Sequence, residues 1–142
     1  MKKIMMIAAM AASIGLTACA QKLDASKVPA AVKASLAKQY PGATAKWEKE
    51  NDKYEANFKQ DGNTMSALFE ANGTMAESEM DIKVADLPAT VLAYVKEHYK
   101  GKTIKEGAKI TKADGTVNYE AEVAGVDVIF DANGKFIKEA KD

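Results

Sequence analysis

Hydrophobic positions along the chain switch between two periods, and the switch happens twice. Val28, Val32, Ser35, Leu36, Gln39 and Tyr40 recur at helical spacing with Lys33 and Lys38 off the stripe, which predicts a helix over about 27–40. Ser26 is placed to cap it, Pro29 fits its first turn, and Pro41-Gly42 stops it. The period then drops to two. Ala45 and Trp47 share one side of a segment at 44–49, and Tyr54, Ala56 and Phe58 alternate with Glu55, Asn57 and Lys59. Met65, Ala67 and Phe69 alternate with Ser66, Leu68 and Glu70, before a last segment at 74–82. Asn51-Asp52, Asp61-Gly62 and Asn72-Gly73 supply the turns between these strands.

The programme restarts after residue 85. Asp86 is placed to cap a second helix striped by Leu87, Val91, Tyr94, Val95, His98 and Tyr99, and Gly101 ends it. Strands follow at 103–111, 117–123, 126–131 and 135–140, with turns at Asp114-Gly115, near Gly125 and at Asn133-Gly134. Whole phrases return. Phe69-Glu70-Ala71-Asn72-Gly73 reappears as Phe130-Asp131-Ala132-Asn133-Gly134, and Tyr54-Glu55-Ala56 as Tyr119-Glu120-Ala121. Pro29, Val32, Tyr40 and Gly42 match Pro88, Val91, Tyr99 and Gly101. Asn-Gly between alternating segments predicts a type I′ hairpin turn, with both central residues at positive φ. The expectation is therefore an α+β fold of two tandem repeats, 27–83 and 86–141, each a helix followed by four antiparallel strands. Pairing the repeats edge to edge would give one curved sheet with both helices on one face.

The start of the chain reads differently. Residues 1–18 hold Lys2 and Lys3, an apolar run from Ile4 to Leu16 and then small residues, the plan of a secretory signal peptide. Leu16-Thr17-Ala18-Cys19 resembles the lipobox of bacterial lipoproteins. That resemblance implies cleavage before Cys19, lipid on its thiol, and residues 19–26 as lipidated cysteine and tether. It makes the membrane a partner through the anchor. Ala20 after the cysteine further implies an outer-membrane lipoprotein of a Gram-negative envelope, facing the periplasm. The alternative is an ordinary signal peptide cut after Ala20, where Ala18 and Ala20 fit an A-x-A pattern.

Removing the leader from 142 residues leaves enough for one compact domain over 27–141. The 20 basic residues are all lysine and balance 20 acidic ones. With two lysines in the leader, the mature chain is slightly acidic. Nucleic acid is excluded as a partner, since the lysines alternate with carboxylates and no arginine forks exist. One cysteine allows no internal disulfide, so packing alone holds the fold.

The order of helix, Tyr-Pro-Gly or Tyr-Lys-Gly, Tyr-Glu-Ala strand and Phe-Glu-Ala-Asn-Gly or Phe-Asp-Ala-Asn-Gly hairpin is similar to the PepSY-like family of secreted bacterial proteins. The resemblance spans Val28 to Lys138. It implies a β-lactamase-inhibitor-protein-like fold, a periplasmic or lipid-anchored setting and a role in inhibiting or binding other proteins. It carries over no catalytic residue.

Candidate chemistry is sparse. His98 is the only histidine, without nucleophile or metal-ligating companions in the pattern, and its place at a helix end reads as structural. Glu48, Glu50, Glu55, Glu77, Glu79, Glu120 and Glu122 alternate with apolar residues and read as a solvated sheet face, with no EF-hand spacing for calcium. Phosphate loops and nucleophile elbows are absent. Leu68, its repeat partner Ile129, and Ile137 break the pattern by falling on the face that should be wet. With Glu55 and Glu120 they form the candidate partner-binding set. The chain reads as non-enzymatic, with no cofactor or metal, binding a protein or peptide through that face. The alternative is a small-ligand or cation-binding envelope sensor.

Overall fold

The structure, a computed structural model, describes residues 20–141. The expected signal peptide and Cys19 lie outside them. The chain forms two compact units, one ending at Ser78 and the other starting at Glu79.

In the first unit, β1 (Gln21–Leu23) precedes α1 (Ala30–Gln39), β2 (Lys46–Glu50), β3 (Lys53–Gln60) and β4 (Asn63–Phe69). Strand β5 (Met75–Ile82) contains the division between the units, so the boundary falls before the 83/86 junction expected from the repeats. Each of β1 to β4 is antiparallel to its chain neighbour within the unit. The helical stripe and one strand face meet in a single core of Val28, Val32, Leu36, Trp47, Ala56, Phe58, Ala67 and Phe69. Phe69 and Val32 are fully buried, each contributing about 2 kcal/mol of apolar burial.

The second unit repeats the series with α2 (Ala89–His98), β6 (Ile104–Lys112), β7 (Val117–Val123), β8 (Val126–Asp131) and β9 (Phe136–Lys141). Its core gathers Leu87, Val91, Val95, Ala121, Val123, Val128 and Phe130. Registers recur as well. Tyr54 lies opposite Phe69 in the first unit, and Tyr119 opposite Phe130 in the second.

Four local expectations are corrected. Residues 21–23 are not part of a free tether. They pair with β2, placing Leu23 opposite Trp47, where Leu23 packs on the core. Strand β1 thus begins two residues after Cys19, and three residues are too few to show a period in the sequence. The helices start later than expected, because Ser26 and Asp86 sit in 3-10 turns at Ala25–Lys27 and Val84–Asp86. Asp24 caps the first of these turns, accepting the Ser26 N–H at 2.8 Å, and the helices themselves begin after Pro29 and Pro88 with no side-chain cap. Pro29 and Pro88 hold the helix entry in extended backbone, a conformation their rings favour.

The Asn-Gly turns are not type I′. Only Gly73 and Gly134 take positive φ there, whereas Asp61-Gly62 and Ala124-Gly125 take it at both residues. Gly73 N–H donates to the Glu70 carbonyl and Glu70 N–H to the Thr74 carbonyl, giving a three-residue loop closed by a left-handed glycine. Asn72 instead accepts from Thr74 N–H at 2.9 Å. The loop glycine also fits against the helix. A Cβ on Gly73 would lie 2.6 Å from the Ala31 carbonyl oxygen, and one on Gly134 would collide with Thr90 Oγ1. Both units seat the first helical turn on the hairpin tip, and in the second Thr90 also donates to the Asn133 carbonyl at 3.0 Å.

The fourth correction concerns the face away from each core, which was expected to be wet. Leu68 and Ile129 are only 2 % and 3 % exposed. Alternation tells which side a residue points to, not how much water reaches that side.

Candidate partner-binding face

The predicted residues stand at equivalent ladder positions of the two units. Because Ala56, Phe58, Ala67 and Phe69 turn toward α1, their strand neighbours Glu55, Ser66 and Leu68 point to the other face. Glu55 lies directly opposite Leu68 on β4 and opposite Glu48 on β2. In the second unit Glu120 lies opposite Ile129. An acid facing an aliphatic residue is therefore the shared cross-strand pair of β3–β4 and of β7–β8. Ile137 does not join it. Ile129 pairs with Lys138 and Phe130 with Phe136, which leaves Ile137 as the extra residue of a bulge. It is 47 % exposed, beside Phe136, whose ring stacks on Tyr94 with centroids 5.2 Å apart.

The two acids differ in setting. Glu55 is 1 % exposed, and burial first, then the charges of Glu48, Glu50 and Glu77, push its carboxyl up to about 8. Its Oε1 and the Oγ of Ser66 are buried with no hydrogen-bond partner among the described residues. Glu50 is also shifted upward, by burial and then by Glu48. Glu120 is half-buried. Near it, Glu122 faces Asp127 across β7–β8, and Lys105 Nζ reaches Glu122 Oε1 at 4.0 Å.

Sequence reasoning missed the burial of several polar residues. Ser66 sits in an otherwise apolar run, and Ser78, Glu79, Asn118 and Asp127 are each less than a tenth exposed. The only available signal was that Leu68 and Ile129 share their faces. His98 is exposed, its ring stacked on Tyr94 at 3.9 Å and its Nδ1 3.0 Å from the Tyr94 carbonyl oxygen. No three His, Cys, Asp or Glu side chains among the described residues converge as a metal-holding group. Apart from the predicted set, a groove of about 330 Å³ opens in the second unit, walled by Val84, Leu92, Val95 and Ile104 with Lys96 and Lys102 on its lining.

Solved structures share this architecture. A BLIP-like protein from Bacteroides fragilis is 26% identical over 79% of this chain and 85% of its own, with a TM-score of 0.68. A DUF2874 family protein from Bacteroides uniformis is 21% identical over 79% of this chain and 88% of its own, with a TM-score of 0.72. A protein from Bacteroides eggerthii described as periplasmic is 16% identical over 80% and 88%, with a TM-score of 0.73. None of these three is described as an enzyme. A comparison with curated proteins finds no match. The model of one family matches residues 16–77 and again 52–138, most of the chain, and on that ground the protein belongs to the PepSY-like, beta-lactamase-inhibitor-like family.

Proposed function

We propose that this chain is a non-enzymatic, lipid-anchored protein of the Gram-negative cell envelope. It binds a protein or peptide through the sheet face carrying the Glu55–Leu68 and Glu120–Ile129 pairs, as an inhibitor or accessory factor. The repetition of that acid-on-aliphatic pair on the face opposite each core carries the reading. Leu68 and Ile129 are themselves enclosed, so a partner meets them through the half-buried carboxylates beside them, Glu48, Glu50 and Glu120. An apolar centre with a polar rim is the anatomy of a protein interface. The family's inhibitor-like description and the periplasmic description of the Bacteroides eggerthii relative support the same reading. Two units joined as one curved sheet, with both helices on one side, would leave the opposite face for the partner. Cys19 would hold the protein on the outer membrane, facing the periplasm.

The test is co-purification after detergent extraction of the envelope. Leu68→Lys and Ile129→Lys are poor probes, because a charge at 2–3 % exposure costs several kcal/mol and should unfold the protein. Ile137→Asp with Glu120→Lys changes exposed and half-exposed positions instead. It should abolish capture of a partner while leaving the melting temperature within about 2 °C; capture that persists would remove the reading. Palmitate labelling should disappear in Cys19→Ser. A second reading, the small-ligand or cation sensor, is favoured by the groove of the second unit. A ligand-dependent rise in melting temperature without any captured protein would select it.

A further inference from the structure

Glu55 has a requirement that its own face does not meet. Its Oε1 and the Oγ of Ser66 are both buried without a hydrogen-bond partner among the described residues. The two are neighbours: Glu55 pairs with Leu68, and Ser66 with Asn57, which sets them on one diagonal of the β3–β4 ladder. Negative charge surrounds them, with Glu48 directly opposite on β2, and Glu50 and Glu77 also acting on the carboxyl. Of the lysines on this face, exposed Lys22 on β1 stands opposite Glu48 and not beside Glu55. Lys53 Nζ is 2.7 Å from Glu70 Oε1, Lys46 pairs with Asn57 and Lys59 with Thr64, and both of these are exposed. Lys49 lies on the core side, over the Tyr54 ring.

We propose that this spot receives a basic side chain of the bound protein, a lysine or arginine whose N–H groups donate to Glu55 Oε1 and Ser66 Oγ. The inference rests on the sheet-face reading and supplies the chemistry of its central contact. A carboxyl oxygen and a hydroxyl with no hydrogen-bond partner among the described residues, ringed by carboxylates, are what such a group complements once Glu55 gives up its proton. Glu48 and Glu50 are half-buried, so an entering cation meets negative charge before it reaches Glu55. A metal ion suits the spot less well, since no three ligating side chains converge among the described residues. Free Glu55 holds its proton at neutral pH, its carboxyl lying at about 8. An arriving cation favours the carboxylate, so binding releases that proton and tightens as the pH rises toward 8.

The experiment titrates Nα-acetyl-arginine amide into the full chain and follows the carboxyl carbon of Glu55 by NMR. A saturable shift is expected, with the apparent pKa of Glu55 falling by about one unit or more. Neutral Nα-acetyl-norleucine amide should give no response. Glu55→Gln should weaken arginine binding at least about tenfold, with a melting temperature at pH 4 equal to that of the native chain verifying its fold. Calcium shifting Glu55 where the arginine compound does not would overturn the proposal in favour of a metal site. Silence from both would overturn it in favour of buried water. Partner capture untouched by Glu55→Gln would sink this inference alone. Capture untouched by Ile137→Asp with Glu120→Lys, the arginine response being intact, would sink the sheet-face reading alone.

Discussion

The two units follow one series of elements and one register, yet they treat equivalent residues differently. Glu55 is enclosed with an oxygen lacking a hydrogen-bond partner among the described residues, while its counterpart Glu120 is half-buried and engaged in interactions. Around the helices, Ala25, Lys33, Ala37, Ala43 and Ala45 of the first unit have Val84, Leu92, Lys96, Lys102 and Ile104 as counterparts in the second. Those five second-unit residues line the groove. Val32 with Val91 and Phe69 with Phe130 are positions shared by the repeats and fully buried in both. Core volume therefore fixes what the repeats hold in common, and specialisation goes to the sites that the cores leave free.

The largest difference should appear on removing the charge from each acid. The folded-state carboxyl of Glu55 stands at about 8, above its ordinary value of 4.5. Folding favours its protonated form, so stability falls as the pH rises from 4.5 to about 8 and then levels off. Glu55→Gln has no proton to lose. It should be more stable than the native chain by about 2–4 kcal/mol at pH 9 and nearly equal to it at pH 4, read from urea unfolding. Glu120→Gln breaks interactions already made and should not stabilise at either pH. Equal responses of the two variants would erase the contrast between the units.

The hairpin glycines give the next effect. Both are at positive φ, Gly73 at 90° and Gly134 at 77°, so alanine costs about 1–2 kcal/mol at either site from backbone alone. The neighbours then differ. Gly73→Ala meets the backbone carbonyl of Ala31, whereas Gly134→Ala meets the side chain of Thr90. Thr90→Ala should therefore recover about 1 kcal/mol in the Gly134→Ala background, although it forfeits the bond to the Asn133 carbonyl. Ala31→Gly should recover none in Gly73→Ala, because a backbone oxygen cannot be trimmed. Melting temperatures of the four single and two double variants decide this.

Much of the fold was legible, for reasons that these residues illustrate. Val28, Val32 and Leu36 at helical spacing, and Tyr54, Ala56 and Phe58 at spacing two, named the core members of the first unit, because period alone assigns a side chain to a face. The turn chemistry was half legible. Asn72-Gly73 marked the hairpin, but loop length, which period does not report, decided against type I′. Strand β1 was missed because its three residues carry no pattern. The candidate face was located in sequence and misjudged in burial: Glu55 and Leu68 point where alternation put them, yet both are enclosed. Enclosure depends on side chains brought from other strands, and Ser66 takes its meaning only from Glu55 beside it.

The smallest contrast lies at the helix ends, where Tyr40 and Tyr99 are repeat partners with different company. The ring of Tyr40 is tilted against Phe58, with centroids 4.8 Å apart, and its hydroxyl lies 4.0 Å from the Met75 sulfur. The hydroxyl of Tyr99 donates to Glu139 Oε1. Burial first, then this hydrogen bond and the charge of Glu139, push the Tyr99 hydroxyl up to about 12. A sulfur acceptor at that distance contributes almost nothing, while a hydroxyl–carboxylate bond at an exposed acceptor contributes about 1 kcal/mol. Tyr40→Phe should therefore leave stability unchanged, and Tyr99→Phe should lower it by about 1 kcal/mol at neutral pH. Glu139→Gln takes the charge off the acceptor, so most of the Tyr99→Phe effect should vanish in the Glu139→Gln background. A Tyr99→Phe penalty that is the same with and without Glu139→Gln would show that ring packing, not the bond to Glu139, separates the two tyrosines.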